Sequence, residues 1–275
     1  MASTTPRKER GEGTRAPATG GRPSKRSRVL FGVLGVVAMV VVWQVLAFVV
    51  SPAILASPAD TAVALANMAW DGRLWLQLLI TLKRLVIGLA IGAAFGFIIG
   101  VLSGLEPRLR SFLEPVRWVG MTIPAVIVAV LAMLWFGLGD MAVTFVVAVI
   151  VIPVVFVNTV AGVIAVDNRL VEMGRVYHFS WRLMLTQVYL PGIASPVMAG
   201  LTLAAGIAVR AVVLAEVLGA MDGIGYAFSR AMSYLEIPEL FAWVIVLLAL
   251  MAVLEFGILR PLKNRTMRWR KGGGE

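Results

Sequence analysis

Two ionisable residues lie in or at the end of one long apolar run of the sequence. Arg210 is inside the run 192–214, and Glu216 follows it. A charge at membrane depth is costly and usually faces a bundle interior or a watery cavity. Arg210 would therefore suit an anion pathway, and Glu216 would suit an outer gate. For each residue, an equal alternative is that its side chain bonds to the backbone or to a neighbouring subunit. The two point in different directions on a straight helix, so we do not expect them to form a simple ion pair.

Three uncharged residues are further candidates for a pathway or gate. Pro124 and Asn158 interrupt apolar runs, as does Pro153, and Trp135 is near the end of another. A proline inside a span frees backbone groups that need new partners, and so often marks a kink. Kink structure and pathway lining are therefore both open for the two prolines and for Asn158.

A polar stretch, 167–191, separates two apolar runs and carries two helical patterns. One face of the first helix contains Leu170, Met173, Gly174 and Tyr177. Another face can form ion pairs and contains Arg169, Glu172 and Arg175. Ser180 suits the N-cap of a second short amphipathic helix, which Leu190-Pro191 is predicted to end. The stretch is thus predicted to be a rigid projection with a sharp corner rather than a solvated loop.

The composition indicates a polytopic membrane protein. Of 275 residues, 60% are hydrophobic, and the mean hydropathy is +0.90. The apolar residues form blocks of roughly the 20 residues that a spanning helix needs. The chain has no cysteine, which excludes disulfides and zinc–thiolate sites. Most of the basic residues behind its net charge of +10 lie in loops and tails, which fits the flanks of spans better than a nucleic-acid surface.

Six transmembrane helices are predicted, at 29–50, 81–105, 118–138, 141–163, 192–214 and 240–259. The segment 1–28 is predicted to be a disordered basic tail, 51–76 an outer segment, 77–262 the core and 263–275 a second basic tail. The segment 106–117 is predicted to be a short polar loop, and 219–239 a mixed outer segment. Within 51–76, Ser57 to Ala69 is predicted to be a short helix, with Ser57 as N-cap and Pro58 in its first turn.

Glycines recur every four residues in the second span, at Gly88, Gly92, Gly96, Gly100 and Gly104. This spacing predicts a face where another helix approaches closely. Basic residues are also unevenly distributed: twenty of the 25 lie in 1–28, in 106–117, in 167–191 and from Arg260 onward. By the positive-inside rule, these segments are cytoplasmic, with both termini inside.

The stretch 167–191 resembles the coupling loop of binding-protein-dependent ABC importer permeases. That loop reads Glu-Ala-Ala, three residues, Gly, nine residues, Ile, one residue, Leu-Pro; this chain has Glu172-Met173-Gly174, His178, Val188 and Leu190-Pro191 at the same spacing. Further motifs are similar to the nitrate/sulfonate/taurine branch over roughly 57–262: Ser57-Pro58, Thr81-Leu82-Lys83-Arg84, Trp135-Phe136-Gly137-Leu138-Gly139, Ala215-Glu216 and Gly223-Ile224-Gly225-Tyr226.

The resemblance implies a type I ABC importer permease-like, all-α fold in the cell inner membrane. It implies a homodimeric pore, cytoplasmic ATPase subunits that hold ATP and Mg, and an external substrate-binding protein. It also implies that the chain itself is no enzyme and carries no cofactor or metal. The residues of this stretch that the resemblance makes candidates for ATPase coupling are Glu172, Met173, Gly174, Tyr177, His178, Leu190 and Pro191.

The sequence departs from that motif at both alanines, which are Met173 and Gly174, and at the glycine, which is His178. The family glycine suits a left-handed helix end. Because His is enriched at positive φ among non-glycine residues, we predict a positive φ at His178. A pH sensor or metal ligand is the alternative, although no second His or Cys exists to complete a site.

The chain has no phosphate-binding G-x-x-x-x-G-K-[ST] pattern, so ATP hydrolysis is expected in a partner subunit. A secondary transporter is the alternative function, although no internal repeat supports it. A membrane scaffold would leave the patterned loop unexplained. Arg210 favours a small anionic solute, while related permeases also serve heterocyclic cargo such as thiamine precursors.

Overall fold

A computed structural model describes residues 25–259 and residue 261, and every regular element within them is helical. The predicted tails therefore lie outside the described residues, except that Lys25 to Arg28 form the first turn of a helix instead of a disordered segment. The helices are α1 (Lys25–Val49), α2 (Pro58–Trp70), α3 (Arg73–Leu105), α4 (Pro107–Thr122), α5 (Ala125–Phe136), α6 (Asp140–Ile164), α7 (Asn168–Val176), α8 (Trp181–Met184), α9 (Leu190–Gly219), α10 (Ile224–Ser233) and α11 (Ile237–Ala252). Two π-helical segments, Leu185–Tyr189 and Val253–Leu259, continue α8 into α9 and extend α11.

Five helical segments of the described chain are long and apolar enough to cross a membrane: Leu30–Val49, Arg73–Leu105, Asp140–Ile164, Trp181–Gly219 and Ile237–Gly257. The pair α4 and α5, bent by 98°, makes a sixth if it is counted as one broken span. The predicted all-α polytopic architecture is confirmed, and its six spans are obtained with that broken helix.

Helices α3 and α6 are parallel and form the tightest pair of the bundle. A Cβ added at Gly88 would lie 2.6 Å from Cβ of Val147, and one at Gly104 would lie 2.5 Å from Cβ of Val163. The three glycines between them meet residues of α6 at the same four-residue spacing. The predicted glycine face is therefore confirmed, and its partner is α6.

Helix α9 packs antiparallel against α6 and also contacts α3. Gly200 of α9 lies against Asn158, and Gly162 of α6 lies against Pro196. The buried face of α9 is rich in alanine and contributes Ala204, Ala208, Ala211 and Ala215 to the core. A second core joins α2, α10 and α11 around Trp243, and α1 contacts this region through a hydrogen bond from Trp43 Nε1 to the Ala56 carbonyl at 3.1 Å.

The helix at 58–70 begins as the sequence predicts. Ser57 Oγ accepts a hydrogen bond from the Asp60 N–H at 3.1 Å, and Pro58 occupies the first turn.

Two other segments are helical where the sequence did not predict a helix. The supposed polar loop 106–117 is the first part of α4, because Glu106 caps this helix through the Arg108 N–H and Pro107 suits its first turn. Helix α10 likewise occupies much of the supposed mixed segment 219–239.

The two prolines that were expected to shape helices have different outcomes. Pro124 lies at the break between α4 and α5, where the chain bends by 98°, which confirms the kink interpretation. Leu190-Pro191 does not end the helix that begins at Trp181. The π-helical turn at Leu185–Tyr189 changes the hydrogen-bond register just before Pro191, and the helix runs on to Gly219.

Candidate functional site

A buried ion pair joins α3 to the end of α9. The side chain of Arg84 is 1% exposed and that of Glu216 is 0% exposed, with 2.9 Å between Arg84 Nη1 and Glu216 Oε1. Glu216 also accepts hydrogen bonds from Thr81 Oγ1 at 2.8 Å and from the Gly225 N–H at 2.9 Å. Thr81 Oγ1 in turn accepts from the Ile224 N–H at 2.8 Å. Each buried charge is therefore paired and hydrogen-bonded, as burial requires.

Two partly exposed carboxylates complete the coordination of Arg84. Its Nε donates to Asp140 Oδ1 at 2.7 Å and its Nη1 to the Asp222 carbonyl at 2.9 Å, while Nη2 binds both side-chain carboxylates. Lys83 lies 3.0 Å from Asp140 on the exposed side of the cluster. We call this cluster the Arg84 network; its members are Thr81, Lys83, Arg84, Asp140, Glu216 and Asp222.

The Arg84 network fixes four segments relative to one another. Arg84 is on α3, Asp140 begins α6, Glu216 is near the end of α9, and Asp222 lies in the turn before α10. The turn is held further because the Gly223 N–H donates to Gln77 Oε1 at 2.5 Å. One guanidinium with several donors in a fixed plane is suited to such convergence. The network therefore has a positioning role at this end of the bundle.

Sequence reasoning identified Glu216 but missed Arg84. In the sequence Arg84 is only a charge at the end of a span, because its carboxylate partners are far away along the chain. The expectation that Glu216 does not pair with Arg210 is confirmed, since Glu216 binds Arg84. The alternative that Glu216 bonds backbone is also correct, through Gly225. Its role in a gate remains a prediction.

A sharp corner follows α7 at the opposite end of the bundle. His178 has φ of +51°, which confirms the predicted left-handed conformation. The Phe179 N–H donates to the Gly174 carbonyl at 2.8 Å and so closes the end of α7. Ser180 Oγ then accepts from the Leu183 N–H at 3.4 Å at the start of α8. The α7 corner, Asn168 to Ser180, thus leads directly into the long helix that ends at Gly219.

The two arms of the α7 corner are packed together through Gly174. A Cβ at Gly174 would lie 2.6 Å from Met184 Cε, at the flexible end of that side chain, and 3.4 Å from Phe179 Cδ2, so a larger residue there would require Met184 to move. The remaining coupling candidates of the corner, Glu172, Met173, Tyr177 and His178, are exposed, as are Leu190 and Pro191 further along. Met184 and Val188 anchor the second arm in a small buried cluster with Ile193.

The other candidate residues are dispersed through the bundle. Asn158 Nδ2 donates to the Val154 carbonyl of its own helix at 2.8 Å, which gives it a local role in α6. Trp135 is 61% exposed and packs edge-on against Phe145. Arg210 is exposed in the middle of α9, between two clefts. The structure does not bring these three residues and Pro124 into one site.

Residues 92–260 match the binding-protein-dependent transport system inner membrane component family. The chain belongs to this family. It is 30% identical to the aliphatic sulfonates transport permease protein SsuC of Bacillus subtilis (strain 168), over 94% of each chain. It is 26% identical to the taurine transport system permease protein TauC of Escherichia coli (strain K12), over 90% of this chain and 91% of that one.

Solved structures agree on the fold. An amino acid ABC transporter crystallised with histidines superposes with a TM-score of 0.60 at 17% identity, over 74% of this chain and 97% of that one. The family and its relatives establish that the chain is the transmembrane permease subunit of an ABC importer. A transporter working without an ATPase partner is thereby set aside. Importers of this family work with ATPase and substrate-binding partners.

Proposed function

We propose that the chain forms one half of a homodimeric pore that passes a small anionic solute of the sulfonate type to the cytoplasm. An external binding protein supplies the solute, and two ATPase subunits, which hold the ATP and Mg, drive the cycle. The chain itself then needs no cofactor or metal, and both of its termini are cytoplasmic. The single observation that carries the proposal is the geometry of the α7 corner.

The α7 corner has the properties of a docking element. Its tip exposes large apolar side chains: Leu170 at 46%, Met173 at 43%, Val176 at 74% and Tyr177 at 70%. Such a cluster beyond the membrane-crossing segments favours burial against another protein. The charges of Glu172 and Arg175 are beside it, which suits an interface with a polar rim.

The same corner can transmit a movement to the spans. Contact between Gly174 and Met184 joins α7 to the second arm, and that arm continues into α9 without a break in the helix. When the ATPase pair closes, α7 moves and the long helix moves with it. This rigid connection explains how ATP closure in one protein would change access to the pathway in another.

Two variants separate docking from transmission. Tyr177→Glu places a charge on the exposed tip, so we expect loss of ATPase co-purification and of uptake. Gly174→Leu fills the space that Met184 occupies and leaves the tip unchanged, so ATPase should co-purify while uptake falls. Val63→Glu, at an exposed site on α2, is the matched control and should leave ATPase binding intact. ATPase retention by Tyr177→Glu would contradict the docking assignment.

The class of solute and the orientation of the chain in the membrane are tested by separate experiments. Cells that depend on the assembled transporter should take up ethanesulfonate in preference to an uncharged pyrimidine. The names of the relatives support this choice, since they concern aliphatic sulfonates and taurine. Preferential pyrimidine uptake would overturn the anion assignment.

The proposed cytoplasmic C-terminus is tested with fusions. A fluorescent protein fused after Glu275 should be bright, as in the cytoplasm, and an alkaline phosphatase fused there should be inactive.

A further inference from the structure

Arg210 is a charge at membrane depth on an exposed face of α9, beside the α11 region. It is nine residues before Gly219, which ends α9, so it lies about 13 Å below that end at 1.5 Å per residue. Leu203 is 58% exposed and Ile207 is 39% exposed on the same face. Within the described part of the chain, no residue forms a hydrogen bond or an ion pair with Arg210.

Exposure of this face to lipid would be unfavourable because of the charge on Arg210. Ionisable residues within spans face a bundle interior or a water-filled cavity, and only those near helix ends reach the interface easily. The opposite face of α9 is already packed on α6 through its alanines. The Arg210 face must therefore be covered by something other than lipid.

Two clefts flank Arg210 between α9 and the α11 region. One, of about 320 Å³, is lined by Gly206, Arg210 and Glu255, and the other, of about 350 Å³, by Val213, Arg210 and Leu247. Arg210 lines both and is the basic residue in each. Glu255 has an interaction of its own, so its influence on the first cleft requires a direct test.

We propose that the Arg210 face of α9 lines a water-filled pathway between two copies of this chain, where the paired guanidiniums bind the anionic group of the solute. The inference rests on the proposed homodimer. Two arginines that face each other across a two-fold axis would repel in a dry contact, whereas water and an anion between them remove that repulsion. A sulfonate also matches the several donors of a guanidinium. Arg210 is thus assigned as a specificity-determining residue.

The absence of cysteine from the chain permits a direct test of the pathway. Cysteine is introduced at Ile207, one turn from Arg210, and at Ile98, an exposed apolar site on α3, as control. The assembled transporter is treated with an anionic or a cationic methanethiosulfonate reagent. We expect the Ile207 site to react and the Ile98 site not to react. The anionic reagent should be about tenfold faster than the cationic one, because a charged cleft concentrates the opposite charge.

Three further arms make the outcome decisive. Arg210→Gln should abolish the preference for the anionic reagent, while Glu255→Gln should preserve or increase it. A bifunctional methanethiosulfonate reagent should cross-link two copies through Ile207→Cys. No reaction at Ile207, an unchanged preference in Arg210→Gln, or cross-links confined to Ile98→Cys would each overturn the proposal. Reagent selectivity does not depend on ethanesulfonate uptake, so failure of the solute assignment remains distinguishable.

Discussion

The buried pair of Arg84 and Glu216 gives the sharpest test of the structure. Arg84→Met removes the guanidinium and keeps much of the apolar length, leaving Glu216 buried with only Thr81 and the Gly225 N–H as partners. Removing one member of a buried pair costs about 3–5 kcal/mol, since the other charge is left uncompensated. On the scale of domains of this size, that corresponds to a fall of roughly 6–20 °C in Tm.

Lys83 is a matched control on the same helix. It also pairs with Asp140, but its side chain is 62% exposed and that of Asp140 is 51% exposed. An exposed ion pair contributes about 0–1 kcal/mol, so Lys83→Met should lower Tm by at most a few degrees. Thermal unfolding of the purified transporter, followed by size-exclusion chromatography with tryptophan fluorescence, measures both variants.

A double variant tests whether the cost comes from the unpaired carboxylate. Arg84→Met combined with Glu216→Gln removes both charges, so its loss of stability should be smaller than the sum of the two single losses. A coupling of about 0.5–3 kcal/mol is typical of residues in one network. Equal losses of stability in Arg84→Met and Lys83→Met would refute the argument that the buried pair stabilises the bundle. Strictly additive losses in the double variant would refute it as well.

Four further substitutions test the backbone and the helix contacts. His178→Gly should raise stability by about 1 kcal/mol because it relieves a left-handed conformation, whereas a decrease in Tm would contradict that account. Leu235 also has a positive φ, of +57°, so Leu235→Gly should raise stability by a similar amount in the same melting assay. Gly92→Ala should cost about 1–3 kcal/mol, since its Cβ would lie 2.6 Å from the Ala148 carbonyl oxygen. Gly206→Ala has open space and should be neutral, so equal losses at the two glycines would disprove the packing explanation.

Features that depend on nearby residues could be predicted from the sequence. The Ser57 cap needs only the residues that follow it, and the glycine face of α3 needs only the four-residue period. The corner at His178 was predicted from the position of a family glycine, and its conformation follows from local sterics. These signals are short-range, so a single sequence contains them.

Features that depend on distant partners could not be predicted in this way. Arg84 is one of two adjacent basic residues, and the carboxylates that pair with it are far away along the chain. A useful signal was the position of Arg84 inside a continuous apolar pattern, one turn before the glycine face. The continuation of the helix through Pro191 was also missed, because a π-helical turn depends on hydrogen-bond register rather than on residue type.

The Arg84 network and the α7 corner lie at opposite ends of the same three helices. Close glycine contacts make α3 and α6 one rigid pair, and α9 is attached to α6 by its alanine face. At one end, Arg84 ties α3, α6 and α9 together; at the other, Gly174 ties α7 to the helix that becomes α9. A force on α7 would therefore reach Arg210 as movement of a whole packed unit rather than as bending of one helix. This is why Gly174→Leu, which changes only one of these ties, should separate ATPase binding from transport.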